Sequence, residues 1–168
     1  MKSIAIYGRN FSEEYDESIE KFFAYLHKHE AKLCVYKPFK EFVESRFTPK
    51  DELFTFTRES FDPSKYELML SIGGDGTMLD STTFIKDSGL PVLGINTGRL
   101  GFLSSIDIND IEPALNEVLK GAYMLDERQL LKVETEGNLF GDQNFALNEV
   151  TVHKKETQSM ITINAYVN

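Results

Sequence analysis

At 168 residues, 41% of them hydrophobic, the chain can bury a sizeable core and reads as one domain, or one domain plus part of another. With 18 basic against 27 acidic side chains, the net charge of −9 speaks against nucleic acid as a partner, because polyanion affinity draws on clustered Lys and Arg and no such cluster is present. The single Cys34 forbids an internal disulfide, the start MKSIAIYGRN turns polar too soon for a signal peptide, and no apolar run reaches membrane-spanning length, so a cytoplasmic protein with no membrane partner is the default expectation.

In chain order, SIAIYG (3–8) is a short apolar run closed by Gly8 and predicts a buried strand. Between Ser12, a candidate N-cap, and Glu30, the residues Ile19, Phe22, Phe23 and Leu26 recur at helical spacing. KLCVYK (32–37) predicts a second strand, ended by Pro38; FKEFVESRF reads as helix, TPKDELFTF as a short helix or irregular turn, and FDPSK as a turn. YELMLSI (66–72) is nearly continuous in apolar side chains, as in a central parallel strand covered on both faces. GGDG breaks it, Thr77 starts a helix to about Lys86, and LPVLGI (90–95) is the next buried strand. This βαβ unit places GGDG and NTGRLG (96–101) side by side at the carboxyl ends of strands, where α/β sheets bind ligands.

The pentapeptide ALNEV occurs twice. At 114–118, behind Asp110 and Pro113, it belongs to a helix with an Ile111, Leu115, Val118 and Leu119 stripe ending at Gly121. At 146–150 it lies among β-branched residues, so that Asn148 and Glu149 interrupt an apolar strand, a costly placement without partners. Past residue 125 the patterning turns to strands: LLKVETEGNLF, NFALNEVTV and SMITINAYV, the last alternating Ile161, Ile163, Ala165 and Val167 on one face. The expected organisation is a Rossmann-like α/β domain with a parallel sheet over 1–125, carrying GGDG, then the first strands of a β-rich domain over 126–168. The open edge left at Asn168 reads as a truncated chain.

Gly73, Gly74 and Gly76 permit positive φ and close approach of a phosphate chain, and the following helix N-terminus offers N–H donors to an anion. An aspartate in such a loop opposes simple phosphate binding. It fits phosphoryl transfer to an alcohol, where Asp75 accepts the hydroxyl proton or acts through Mg²⁺. The structural alternative is an Asx-type turn satisfying nearby backbone donors. Arg99 is the best-placed cation, on a loop expected to neighbour GGDG, with a surface salt bridge as its alternative; the lone His153, just after the Asn148–Glu149 pair, is placed to approach substrate, with a solvent-facing strand end as its alternative; and Phe102 has the alternative of a core position.

GGDGT after an apolar strand, GINTGRLGFL (94–103) and ALNEV (146–150), in this order and spacing, closely resemble the NAD kinase family. The resemblance implies transfer of the γ-phosphate of ATP, or in some members polyphosphate, to the 2′-hydroxyl of the adenosine ribose of NAD, giving NADP. It implies ATP with Mg²⁺ or another divalent cation, NAD held between an α/β and a β-rich domain, and a homo-oligomer, dimer or tetramer, as the active form. By the same resemblance Asp75 is the proton acceptor, Gly74, Gly76 and Thr77 shape the phosphate-bearing loop, and Asn96 fixes the second loop. Phe102 lies against adenine or ribose, and Asn148 with Glu149 hydrogen-bonds NAD. No protein-held metal is expected. Two departures stand out: Asp80 occupies a position that is basic in some family members, and the family's downstream Gly/Thr/Ser-rich block is not among these residues, so the chain alone is expected to be inactive. A GGDG-type lipid kinase accounts for neither NTGRLGFL nor the later LNEV. A non-catalytic nucleotide-binding module is the remaining alternative.

Overall fold

The computed structural model describes residues 3–49, 53–104, 106–154 and 160–166. They fall into two compact units, residues 1–126 and 127–168.

The first unit is a six-stranded parallel sheet in the order β3-β2-β1-β4-β5-β6. Its strands are β1 (Ser3–Gly8), β2 (Lys32–Tyr36), β3 (Phe54–Phe56), β4 (Leu68–Gly73), β5 (Val92–Asn96) and β6 (Ile106–Asp107). The helices are α1 (Asp16–Lys28), α2 (Lys37–Arg46), α3 (Asp75–Ile85) and α4 (Ile111–Lys120). Strand alternation sorts the apolar residues onto two faces. Ile4 and Ile6 of β1 and Leu68, Leu70 and Ile72 of β4 join Ile19, Phe22 and Leu26 of α1, Phe39 and Val43 of α2, and Leu115 of α4 in one core. Ala5, Tyr7 and Met69 face the other way, against Phe84 of α3, Phe56 and Leu90. Each fully buried side chain of the size of Ile6 or Phe22 contributes about 1.5–3 kcal/mol over its exposed state.

Several elements differ from the sequence expectation. The segment expected as helix or turn contains β3, a three-residue parallel edge strand beside β2 with Phe54 and Thr55 exposed and Phe56 buried. Pro38 does more than end β2: it stands in the first turn of α2, where its missing N–H has no helical partner to lose. Ser12 makes no capping bond to the backbone; its hydroxyl donates to Glu14, and a 3-10 turn over Glu13–Tyr15 precedes α1. In α4 Ile111, Leu115 and Val118 of the expected stripe are buried and Leu119 is partly buried, and Gly121 closes the helix in the left-handed conformation with φ 76°.

Among its described residues the second unit contains one antiparallel pair, β7 (Leu131–Lys132) with β8 (Phe145–Ala146), extended by a Val133 N–H to Asn144 carbonyl bond. The strand expected at 146–150 stops at Ala146. Residues 160–166 form no strand, and Ile161 and Ile163 are exposed; Val167 lies outside the described residues. Alternation in sequence makes a buried face only where another layer covers it, and none does among the described residues of this unit. No helix among the described residues is long and apolar enough to cross a membrane.

Candidate active site

The strand order reverses direction between β1 and β4, so the crevice of this sheet opens at their carboxyl ends. Gly8 lies opposite Ile72, and the next amide, that of Arg9, donates to the Ile72 carbonyl at 3.2 Å. The last residue of β4, Gly73, has φ 152°, and a Cβ there would lie 2.2 Å from Thr77 Oγ1, so only glycine lets the chain pass under the buried Thr77 into α3. The Thr97 amide donates to the Gly73 carbonyl at 3.2 Å, tying the loop after β5 to the loop after β4.

Asp75 is the first residue of α3 and is half-buried. Its carboxylate accepts three backbone hydrogen bonds from the second glycine loop. Oδ2 accepts from Phe102 N–H at 2.8 Å, and Oδ1 accepts from Leu103 N–H at 2.9 Å and Ser104 N–H at 3.0 Å. The amides of Ser104, Phe102 and Leu103 hold this carboxyl below its ordinary value of 3.8, so it is an ionised acceptor at neutral pH. A turn closed on its own neighbours does not describe this residue, because its donors lie 27 to 29 positions downstream. Oδ1 is doubly occupied and Oδ2 accepts one bond from the backbone, which leaves an Oδ2 lone pair for a hydroxyl donor. Gly101 makes the clasp possible: a Cβ there would stand 2.2 Å from Asp75 Oδ1 and 2.6 Å from Oδ2.

The other expected residues are placed as follows. Gly74 takes φ −107° as the N-cap of α3, and neither it nor Gly76 uses a positive φ, contrary to the expectation for these two glycines. A Cβ at either would meet nothing within 4 Å, so what they supply is open space above the helix end. The amides of Thr77 and Met78 donate to the Gly74 carbonyl, which leaves those of Asp75 and Gly76 without an intrahelical acceptor. Asn96 is buried at the end of β5, and its Nδ2 donates to the Arg99 carbonyl at 2.6 Å and the Ser104 carbonyl at 3.3 Å, across the loop that clasps Asp75. Phe102 is 97% exposed, which removes the core alternative for it. Arg99 is exposed on the same loop. In the second unit Asn148 and Glu149 follow the end of β8, and both are exposed; they sit on irregular chain rather than interrupting a strand, and their polarity carries no burial cost there.

Two features were not legible from the sequence. Gly101 was one glycine among several, and its contact with Asp75 spans two loops. Arg9, which follows β1, forms an ion pair with Asp80 of α3 across 71 positions. The acid at position 80 was visible as a departure; its partner was not. Among the described residues no group of three or more His, Cys, Asp or Glu side chains is placed to hold a metal ion.

The model of the ATP-NAD kinase N-terminal domain matches residues 4–123 of this chain. A protein named NAD kinase from Cytophaga hutchinsonii is 40% identical over 163 residues, covering 97% of this chain and 56% of that protein. An NAD kinase from Flavobacterium johnsoniae is 37% identical over 167 residues, 98% of this chain and 57% of its own length. The chain thus spans a little over half the length of the curated relatives it matches. Among solved structures, yeast NADH kinase complexed with NADH aligns with a TM-score of 0.64 at 23% identity, covering 77% of this chain and 41% of that one, a likeness of fold. With the glycine loop at the sheet's switch point and this match over most of the first unit, the chain belongs to the NAD kinase family.

Proposed function

We propose that the protein is an NAD kinase, transferring the γ-phosphate of ATP to the 2′-hydroxyl of the adenosine ribose of NAD to give NADP. The observation that carries this is Asp75: an ionised carboxylate at the crevice between β1 and β4, held by three amides, with acceptor capacity left on Oδ2. The ribose hydroxyl donates to that oxygen and is thereby oriented. As its oxygen bonds to the γ-phosphorus, the bond from phosphorus to the β-γ bridging oxygen breaks, ADP leaves with that electron pair, and the hydroxyl proton passes to Asp75 and then to solvent. A carboxylate of lowered pKa is a weak base early in such a reaction. It suits a loose transition state, in which the hydroxyl becomes acidic only as the new bond forms.

The amides of Asp75 and Gly76 and the open space over Gly74 and Gly76 suit the phosphate chain. Asp75 has one lone pair to offer and no acidic cluster surrounds it among the described residues, so a divalent cation would fit on the phosphates of ATP, where it would supply charge neutralisation. Phe102 supports the ribose or adenine, Asn148 and Glu149 hydrogen-bond NAD, and the active form is a homo-oligomer, dimer or tetramer, in the cytoplasm.

A second reading is favoured by the same three amide bonds: Asp75 serves only as a clasp in a nucleotide-binding module. The two are separated with the protein carried through any residues that follow Asn168, supplied with ATP, Mg²⁺ and NAD. Formation of NADP that fails in Asp75→Asn while NAD binding holds supports the kinase. Absence of NADP formation by the wild type, or a loss that only tracks a loss of NAD binding, supports the clasp alone.

A further inference from the structure

A cleft in the first unit holds a cation to which the proposed reaction assigns no task. It lies at the carboxyl ends of β1 and β2, has a volume of about 530 Å³, and is lined by Tyr7, Arg9, Asn10, Tyr36 and Phe39 among others. Gly8 opens it, because a Cβ at that position would come 2.6 Å from the Phe39 ring. The position of Arg9 is set by its backbone: its amide is bonded to the Ile72 carbonyl, one residue before Gly73, so the side chain starts beside the GGDG loop. Its guanidinium pairs with Asp80 on α3, the helix that Asp75 opens, and remains 63% exposed, with Asp80 36% exposed. An ion pair so open to water is worth little by itself, and a guanidinium with five donors is not filled by one carboxylate oxygen and the Tyr7 hydroxyl.

Resting on the kinase reading, we propose that Arg9 binds the phosphate chain of the donor nucleoside triphosphate, and that Asp80 is the resting partner it gives up when that chain arrives. The chemistry argues for a phosphate over a carboxylate or a neutral ligand. The crevice already presents the open end of a helix, the free space over Gly74 and Gly76, and a planar fork that matches phosphate oxygens. In a chain of net charge −9, a polyphosphate needs such a local donor to offset the surrounding field. In this pair the helix carries the acid, Asp80, and the residue that follows β1 carries the base.

The test uses the protein carried through any residues that follow Asn168. ATP binding is measured by equilibrium dialysis, and KM is measured separately for ATP and NAD. Arg9→Ala is expected to weaken ATP binding and raise KM for ATP about tenfold or more, with KM for NAD within about twofold of wild type. Arg9→Lys, which keeps the charge and loses the fork, falls between. Asp80→Asn discriminates further: it removes both a competitor for Arg9 and a negative charge beside the phosphates, so ATP binding tightens. A purely structural ion pair would make Arg9→Ala and Asp80→Asn shift ATP binding and stability in the same direction. That result, or unchanged ATP affinity in a folded Arg9→Ala or Arg9→Lys variant, overturns the proposal. Should the wild type make no NADP, the kinase reading fails, and the dialysis results still decide the role of Arg9.

Discussion

Replacing Gly101 by alanine puts a methyl group 2.2 to 2.6 Å from the carboxylate atoms of Asp75, distances that no carbon and oxygen sustain. Either Asp75 rotates away or the 101–104 segment lifts, and in both cases the hydrogen bonds from Phe102, Leu103 and Ser104 are lost together. Bonds to a charged acceptor are worth about 1.5–3 kcal/mol each where water cannot replace them. Asp75 is half-exposed, so about 1 kcal/mol per bond is the appropriate scale here, and the clasp as a whole is worth roughly 3 kcal/mol, a factor of about 100 in the clasped population. Amide hydrogen exchange reads this directly: the amides of residues 102–104 exchange about 100-fold faster in Gly101→Ala, and NADP formation falls with them. Gly98→Ala is the control, because a Cβ at Gly98 meets Asn96 Oδ1 at an ordinary 3.8 Å and leaves the protection intact. Exchange at these three amides within about threefold of wild type in Gly101→Ala would refute the reasoning, since the clasp would then hold without the space the glycine provides.

The clasp also has a defined pH dependence. Because the folded carboxyl titrates below its ordinary 3.8, its contribution is fully present above that value and is lost as pH falls through the lower one. Protection of residues 102–104, corrected for intrinsic exchange, is therefore flat from about pH 5 upward and collapses only in stronger acid, a step that Asp75→Asn abolishes. Phe102→Ala removes a ring that is 97% exposed, so the melting temperature moves little while KM for NAD rises about three- to tenfold; a large drop in melting temperature would place the ring in the fold instead. Gly73→Ala drives a methyl to 2.2 Å from Thr77 Oγ1 and 2.7 Å from its Cβ, and chemical denaturation should show a loss of about 1–3 kcal/mol.

What could be read without coordinates follows burial. Strands β1, β4 and β5 are covered on both faces, so their apolar runs are continuous and their ends are marked by Gly8, Gly73 and the NTG turn. Strand β3 escaped because an edge strand of three residues with two exposed carries no periodicity. Alternation at Ile161 and Ile163 was a true pattern with a false implication, since both are exposed. Within the site, residue types gave the acid and the glycines of each loop; pairings between loops were beyond reach. That Asp75 is gripped by residues 102–104, or that Arg9 answers Asp80, depends on which strand ends the sheet order brings together, and no local spacing encodes it.

The proposed acceptor of the ribose proton is the Asp75 carboxylate, which backbone amides hold in place. The most direct measurement is the single-turnover rate of NADP formation at saturating ATP, Mg²⁺ and NAD, in wild type and Asp75→Asn, with NAD affinity measured on both. A loss of about 10²- to 10⁴-fold in rate with NAD affinity within a few fold of wild type is the predicted result. A rate within about tenfold of wild type, with NAD bound, would contradict it.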